Sequence, residues 1–173
     1  HHDVGVQGLS IENKRKLVQL LASKGKVFIT TERDIEEEFQ PYQLKISPEK
    51  IHSLLYYATL LVGDSQTMTS EAAVLGTPSI RYNSFVGRLT CIEEKEHHYD
   101  LTYGFLPGQS NAMFDKIQAL LSQEGLKEQW KIKSEKLISD KIDVTAFYVW
   151  FIENYPESAK IMKENPEYQY KFK

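Results

Sequence analysis

The run Gly63-Asp64-Ser65-Gln66-Thr67 lies between two β-prone stretches and leads into Met68-Thr69-Ser70-Glu71. Glycine permits close approach to the backbone, and Ser65, Thr67 and Thr69 supply hydroxyls. A helix starting here adds N–H groups and the positive end of its dipole, a combination suited to a diphosphate. Glu71 follows Ser65 by six positions, about one and two-thirds helical turns, on a neighbouring azimuth from which a carboxylate could accept bonds from sugar hydroxyls. The same residues also suit an ordinary N-cap, with Asp64 or Ser65 satisfying its own helix. The sequence alone leaves both readings open. Gly63, Asp64, Ser65, Gln66, Thr67 and Glu71 are therefore the candidate binding residues.

The flanking elements would place this run where open α/β sheets bind ligands, beyond the carboxyl ends of the strands. Residues 59–62 read as a short buried strand. The helix through Glu71 and Leu75 stops at Gly76, ahead of Pro78, and residues 79–82 form the next strand. Upstream, Ser10 caps a helix with Leu17, Val18, Leu20 and Leu21 on one face, and residues 27–31 form a continuous β-prone run expected to be a strand buried on both faces. The charged residues 32–38 read as a solvated loop or helix face. Ser47-Pro48 opens a helix whose inner face is Ile51, Leu54, Leu55 and Ala58. Residues 92–99 predict a charged helix and 101–105 a last strand. The remaining pattern is helical, around Met113 to Leu121, 130–138 and 144–152, with a partly ordered tail over 156–173. Helices between strands require parallel pairing. The expected fold is α/β: a Rossmann-like parallel sheet with helices on both faces over residues 1–140, and a helical extension with a tail over 141–173.

With 173 residues, the chain suits one domain. Its 21 Lys and Arg against 24 Asp and Glu leave a net charge of -3, which argues against nucleic acid as a partner. The single cysteine, Cys91, cannot form an internal disulfide and lacks a nucleophile motif. No apolar run approaches a bilayer span. A soluble, cytoplasmic protein is expected. His1-His2-Asp3 reads as neither a native start nor a secretory signal. His97 and His98 among Glu93, Glu94 and Glu96 give no metal expectation, because adjacent helical residues point apart. Phe147, Tyr148, Trp150, Phe151 and Tyr155 read as packing, with self-association or cover by the tail as ways to hide them.

Asp64-Ser65, Glu71-Ala72 and Leu75-Gly76-Thr77-Pro78 resemble the diphosphate site of the UDP-N-acetylglucosamine 2-epimerases, where an Asp-Ser-Gly-Gly turn is followed by Glu and a Leu-Gly-Lys-Pro exit. The resemblance implies that Ser65 and nearby amides hold a diphosphate and that Glu71 holds ribose hydroxyls. Gln66 and Thr67 stand where the family has glycines. His2 with Gly8 keeps the spacing of the family's His-Arg-Arg-Glu-Asn run and glycine. Arg81 and Arg88 match its arginine-bearing strand and loop only loosely, and surface or structural roles serve them equally well. With His1-His2-Asp3, the Gly63-Asp64-Ser65-Gln66-Thr67-Met68-Thr69 turn, Gly76-Thr77-Pro78 and Leu101-Thr102-Tyr103-Gly104-Phe105, the chain over residues 1–125 also resembles an uncharacterised bacterial and archaeal family grouped with the GT-B glycosyltransferases. That resemblance implies the carboxyl-terminal lobe of a two-lobed protein of surface-polysaccharide synthesis, whose partners are a UDP-type nucleotide-diphosphate sugar and the missing amino-terminal lobe, with the extension over 141–173 packing on the domain or on that missing lobe. It implies no cofactor and assigns no catalytic residue. A 2-epimerase-type lobe and a non-catalytic binding module are the alternatives.

Overall fold

The computed structural model describes residues 8–31 and 34–173. Helix α1 (Ile11–Ala22) starts where the Ser10 hydroxyl accepts a bond from Asn13 N, and it lays Leu17, Leu20 and Leu21 against the core. The expected strand over residues 27–31 does not form. Ile29 makes a single parallel bridge with Gln43, and Phe28 is 47% exposed. The run has strand propensity, but its neighbour is a 3-10 helix, Glu37–Tyr42, that contains Pro41 and leaves only Gln43 extended beside Ile29. The acidic loop is held to α1 by Lys14–Glu36 and by Arg15, whose Nε and Nη2 grip Glu38.

A 3-10 turn, Pro48–Lys50, leads into α2 (Ile51–Tyr57). Pro48 takes the first helical position as expected. The Ser47 hydroxyl makes no capping bond, and of the predicted inner face only Leu55 is fully buried. Then β1 (Leu61–Gly63), α3 (Gln66–Val74), β2 (Ser79–Tyr82), α4 (Thr90–His97) and β3 (Thr102–Phe105) alternate. The three strands form a small parallel sheet in the order β1-β2-β3. All four residues of central β2 are buried. This is an α/β fold of the coarse Rossmann-like class, with a sheet much smaller than its helical complement.

Helices α5 (Ser110–Leu121) and α6 (Leu126–Asp140) complete the core with Met113, Ile117, Leu120, Trp130 and Leu137. Trp130 is 1% exposed, and its indole N–H donates to Leu101 O at 2.8 Å. The stop at Gly76 is a left-handed residue, φ +72°, against which α6 packs: a Cβ there would stand 3.4 Å from Lys131 Cα. Gly76→Ala is expected to cost about 1–2 kcal/mol, the usual penalty for a left-handed non-glycine, as read by urea denaturation. An unchanged midpoint would contradict that account of the turn.

Beyond Asp143, helices α7 (Val144–Glu153) and α8 (Glu157–Glu164) and the 3-10 helix Pro166–Phe172 pack on one another. The tail is thus helical, and it covers part of the aromatic cluster: Tyr168 stacks on Trp150 at 4.8 Å, and Phe172 lies edge-on to Phe147. Val144, Tyr148, Val149, Ile152 and Tyr155 of this segment stay exposed.

Candidate functional site at the carboxyl edge of the sheet

Strand register sets Gly63, Arg81 and Gly104 side by side, one from each strand. Residues paired in this way present their side chains to the same face. Arg81 lies across Gly104, where a Cβ would come within 2.9 Å of its Nε and 2.7 Å of Val86 Cγ1. Glycine is required there so that the arginine can lie flat. Above Gly63 no atom of the described residues stands within 4 Å of the corresponding point, so among the described residues this side of the edge is open.

Arg81 is where the structure departs furthest from a ligand-contact reading. Its side chain is wholly buried, and Nη2 donates both to Glu93 and, at 2.9 Å, to Glu96 of α4. Nη1 reaches Gln66 Oε1 at 3.5 Å, and Nε has no hydrogen-bond partner among the described residues. The two carboxylates serve the backbone as well: Glu96 Oε1 accepts from Gly104 N (2.9 Å), and Glu93 Oε1 accepts from Gly87 N (3.1 Å). Arg81 and α4 together therefore fix β3 and the loop after β2, which is the structural role that the sequence left open. Arg88 lies in that loop, exposed, with its guanidinium 5.2 Å from the Phe85 ring centre.

Burial pushes the Glu93 carboxyl up, but the Arg81 hydrogen bond and charge, the Gly87 amide and His97 outweigh it and hold the group below its ordinary 4.5. A carboxyl depressed on folding stabilises fully above its unfolded value, and this stabilisation is lost as pH falls through the folded one. Stability should therefore drop as pH is lowered below about 4.5. Glu93→Gln should flatten that part of the profile in urea denaturation at stepped pH. An equally steep profile in the variant would locate the acid sensitivity elsewhere.

Ser65 is the N-cap of α3, its hydroxyl accepting from Met68 N at 3.3 Å. The amides of Gln66 and Thr67, first in the helix, have no intrahelical acceptor and lie just past the carboxyl end of β1. Thr69 is buried and donates to Ser65 O at 2.7 Å, so its hydroxyl is already used. Asp64 is exposed, and Gly8 comes against it, since a Cβ on Gly8 would lie 2.8 Å from Asp64 Oδ2. The amino-terminal end of the described chain thus reaches the turn. His2 lies outside the described residues.

Glu71 does not join this group. Six residues place it about 240° round the axis from Ser65, where it lines a cavity of about 290 Å³ with His52 and stands 3.4 Å from His52 Nε2. A residue missed from the sequence is Asn83, 1% exposed, whose amide donates to Asp64 O at 2.7 Å and whose oxygen accepts from Phe85 N at 2.8 Å. It clamps the turn after β1 to the end of β2. The available signal was an Asn directly after a buried strand, a common turn-former. Among the described residues no cluster of His, Cys, Asp and Glu could hold a metal ion, and no helix is long and apolar enough to cross a membrane. No family model matches the chain, and comparison with curated proteins and with solved structures finds no significant match.

Proposed function

We propose that the carboxyl edge of the sheet binds the diphosphate of a nucleotide-diphosphate sugar, UDP type favoured, as one lobe of a GT-B-type, glycosyltransferase-like protein of the cytoplasm. The observation that carries this reading is the opening of α3 at the end of β1: Gln66 and Thr67 amides without an intrahelical acceptor, beside a face of Gly63 that is open among the described residues. Ser65 adds a hydroxyl that accepts from Met68 N and, among the described residues, keeps its proton available to donate. Asn83 holds the turn, while Gln66 points its side-chain oxygen at Arg81. Glu71 would reach ribose only by leaving His52, and the diphosphate reading does not depend on it.

One arrangement favours binding without turnover by this chain. Glu93 and Glu96 of α4 are engaged by Arg81 and by amides, so neither is free as a general acid or base, and the exposed Asp64 is part of the binding turn itself. Transfer or 2-epimerisation would draw its acid and base groups from a second lobe. In calorimetry across UDP, GDP, CDP and dTDP, a diphosphate should bind, and Ser65→Ala should weaken it by about 1–2 kcal/mol, the scale of a hydrogen bond to a charged group. Undiminished affinity in that variant would remove Ser65 from the site.

A further inference from the structure

We propose that a second site, at the opposite end of the sheet, binds a small aromatic phosphate between the tyrosines of α2 and the lysines of α6. A cavity of about 380 Å³ lies there, lined by Tyr56, Tyr57, Gly76, Lys127 and Lys131 among others. It sits at the amino ends of the strands: Thr59 of its wall precedes β1, and Gly76 precedes β2. Its size falls at the lower end of the roughly 300–1,000 Å³ usual for small-molecule sites, room for one ring and its phosphate.

Among the described residues the wall carries two cations and no carboxylate. Lys127 is fixed: its ammonium donates to Tyr56 O, to Ala58 O at 3.0 Å and to Thr77 Oγ1 at 2.9 Å. These partners hold the ammonium without neutralising it by a full negative charge, and burial lowers its pKa from the ordinary 10.5. Lys131 is the exposed counterpart, with a side chain 70% exposed and Glu135 only at 3.9 Å. A phosphate drawn in by the field of Lys127 can be gripped directly by Lys131, a point charge on a flexible stem. The aromatic half of the site is the edge-to-face pair Tyr56 and Tyr57, ring centres 5.0 Å apart. Tyr57 is 80% exposed, an unusual position for so large a ring. A planar ligand would cover it while its phosphate faced the lysines.

The site is separate from the Ser65 turn, so its test is independent of the nucleotide reading. The probe is phenyl phosphate, titrated into the full chain by calorimetry, with inorganic phosphate as the control lacking a ring. Phenyl phosphate should bind at least about tenfold more tightly than inorganic phosphate. Tyr57→Ala and Lys131→Ala should each weaken it about tenfold, while Ser65→Ala leaves it unchanged. Both lining residues are exposed, so these variants keep the fold, which circular dichroism checks. No binding by the parent chain up to about 1 mM, or binding indifferent to both variants, would overturn the proposal. So would a loss caused by Ser65→Ala alone.

Discussion

Arg81→Met should destabilise the protein by about 3–5 kcal/mol, the cost of breaking a buried ion pair by removing one partner. The guanidinium is fully enclosed, and the side chains of Glu93 and Glu96 are only 22% and 16% exposed. Without Arg81 two carboxylates are left side by side, repelling each other in a poorly solvated place while still tied to the Gly87 and Gly104 amides. The remedy follows from the same physics. Adding Glu93→Gln and Glu96→Gln to Arg81→Met should recover much of the loss, because neutral groups need no counter-ion. Urea denaturation of the single and triple variants reads both effects. A single variant within about 1 kcal/mol of the parent, or a triple variant no better than the single, would show that the triad does not hold this edge together.

Trp130→Ala should cost a similar amount, about 3–5 kcal/mol, the range for emptying a large aromatic site in a core. Trp130 is 1% exposed and joins α6 to the sheet-side cluster containing Ile80, Leu101 and Met113. Its removal also deprives Leu101 O of the indole N–H. Trp130→Phe separates the two terms: the ring volume is largely kept, and the expected loss is smaller, near the roughly 1–3 kcal/mol of an unsatisfied buried acceptor plus the smaller void. Equal losses in the two variants would assign the whole effect to the hydrogen bond.

The elements legible in the sequence are those whose local signals and tertiary surroundings agree. The Ser79–Tyr82 strand, the stop at Gly76 and the helix after the Gly63 turn all have capping or burial signals that need little outside help. The run 27–31 has equal β propensity, but a strand exists only through its neighbours, and residues 37–42 coil into a 3-10 helix instead of pairing along it. At the edge, the Ser65 cap was readable from type and position, as one of two readings. The roles of Arg81 and Asn83 were not, since both depend on partners from other elements: Glu93 and Glu96 on α4, Gly104 on β3 and the carbonyl of Asp64. Glu71 shows the opposite error of inference, in which correct spacing along the chain gave no information about which neighbour its helical face would meet. His52 lies on α2, nineteen residues upstream of Glu71, and it occupies that face.

The central claim, that the opening of α3 at the end of β1 holds a diphosphate, is tested most directly by amide NMR of the isotopically labelled chain during a UDP titration. The account predicts saturable shifts concentrated at the amides of Gly63, Gln66 and Thr67, with smaller ones at Asn83, and their loss when uridine replaces UDP. Shifts that avoid this turn, or no shifts up to about 1 mM UDP, would contradict it.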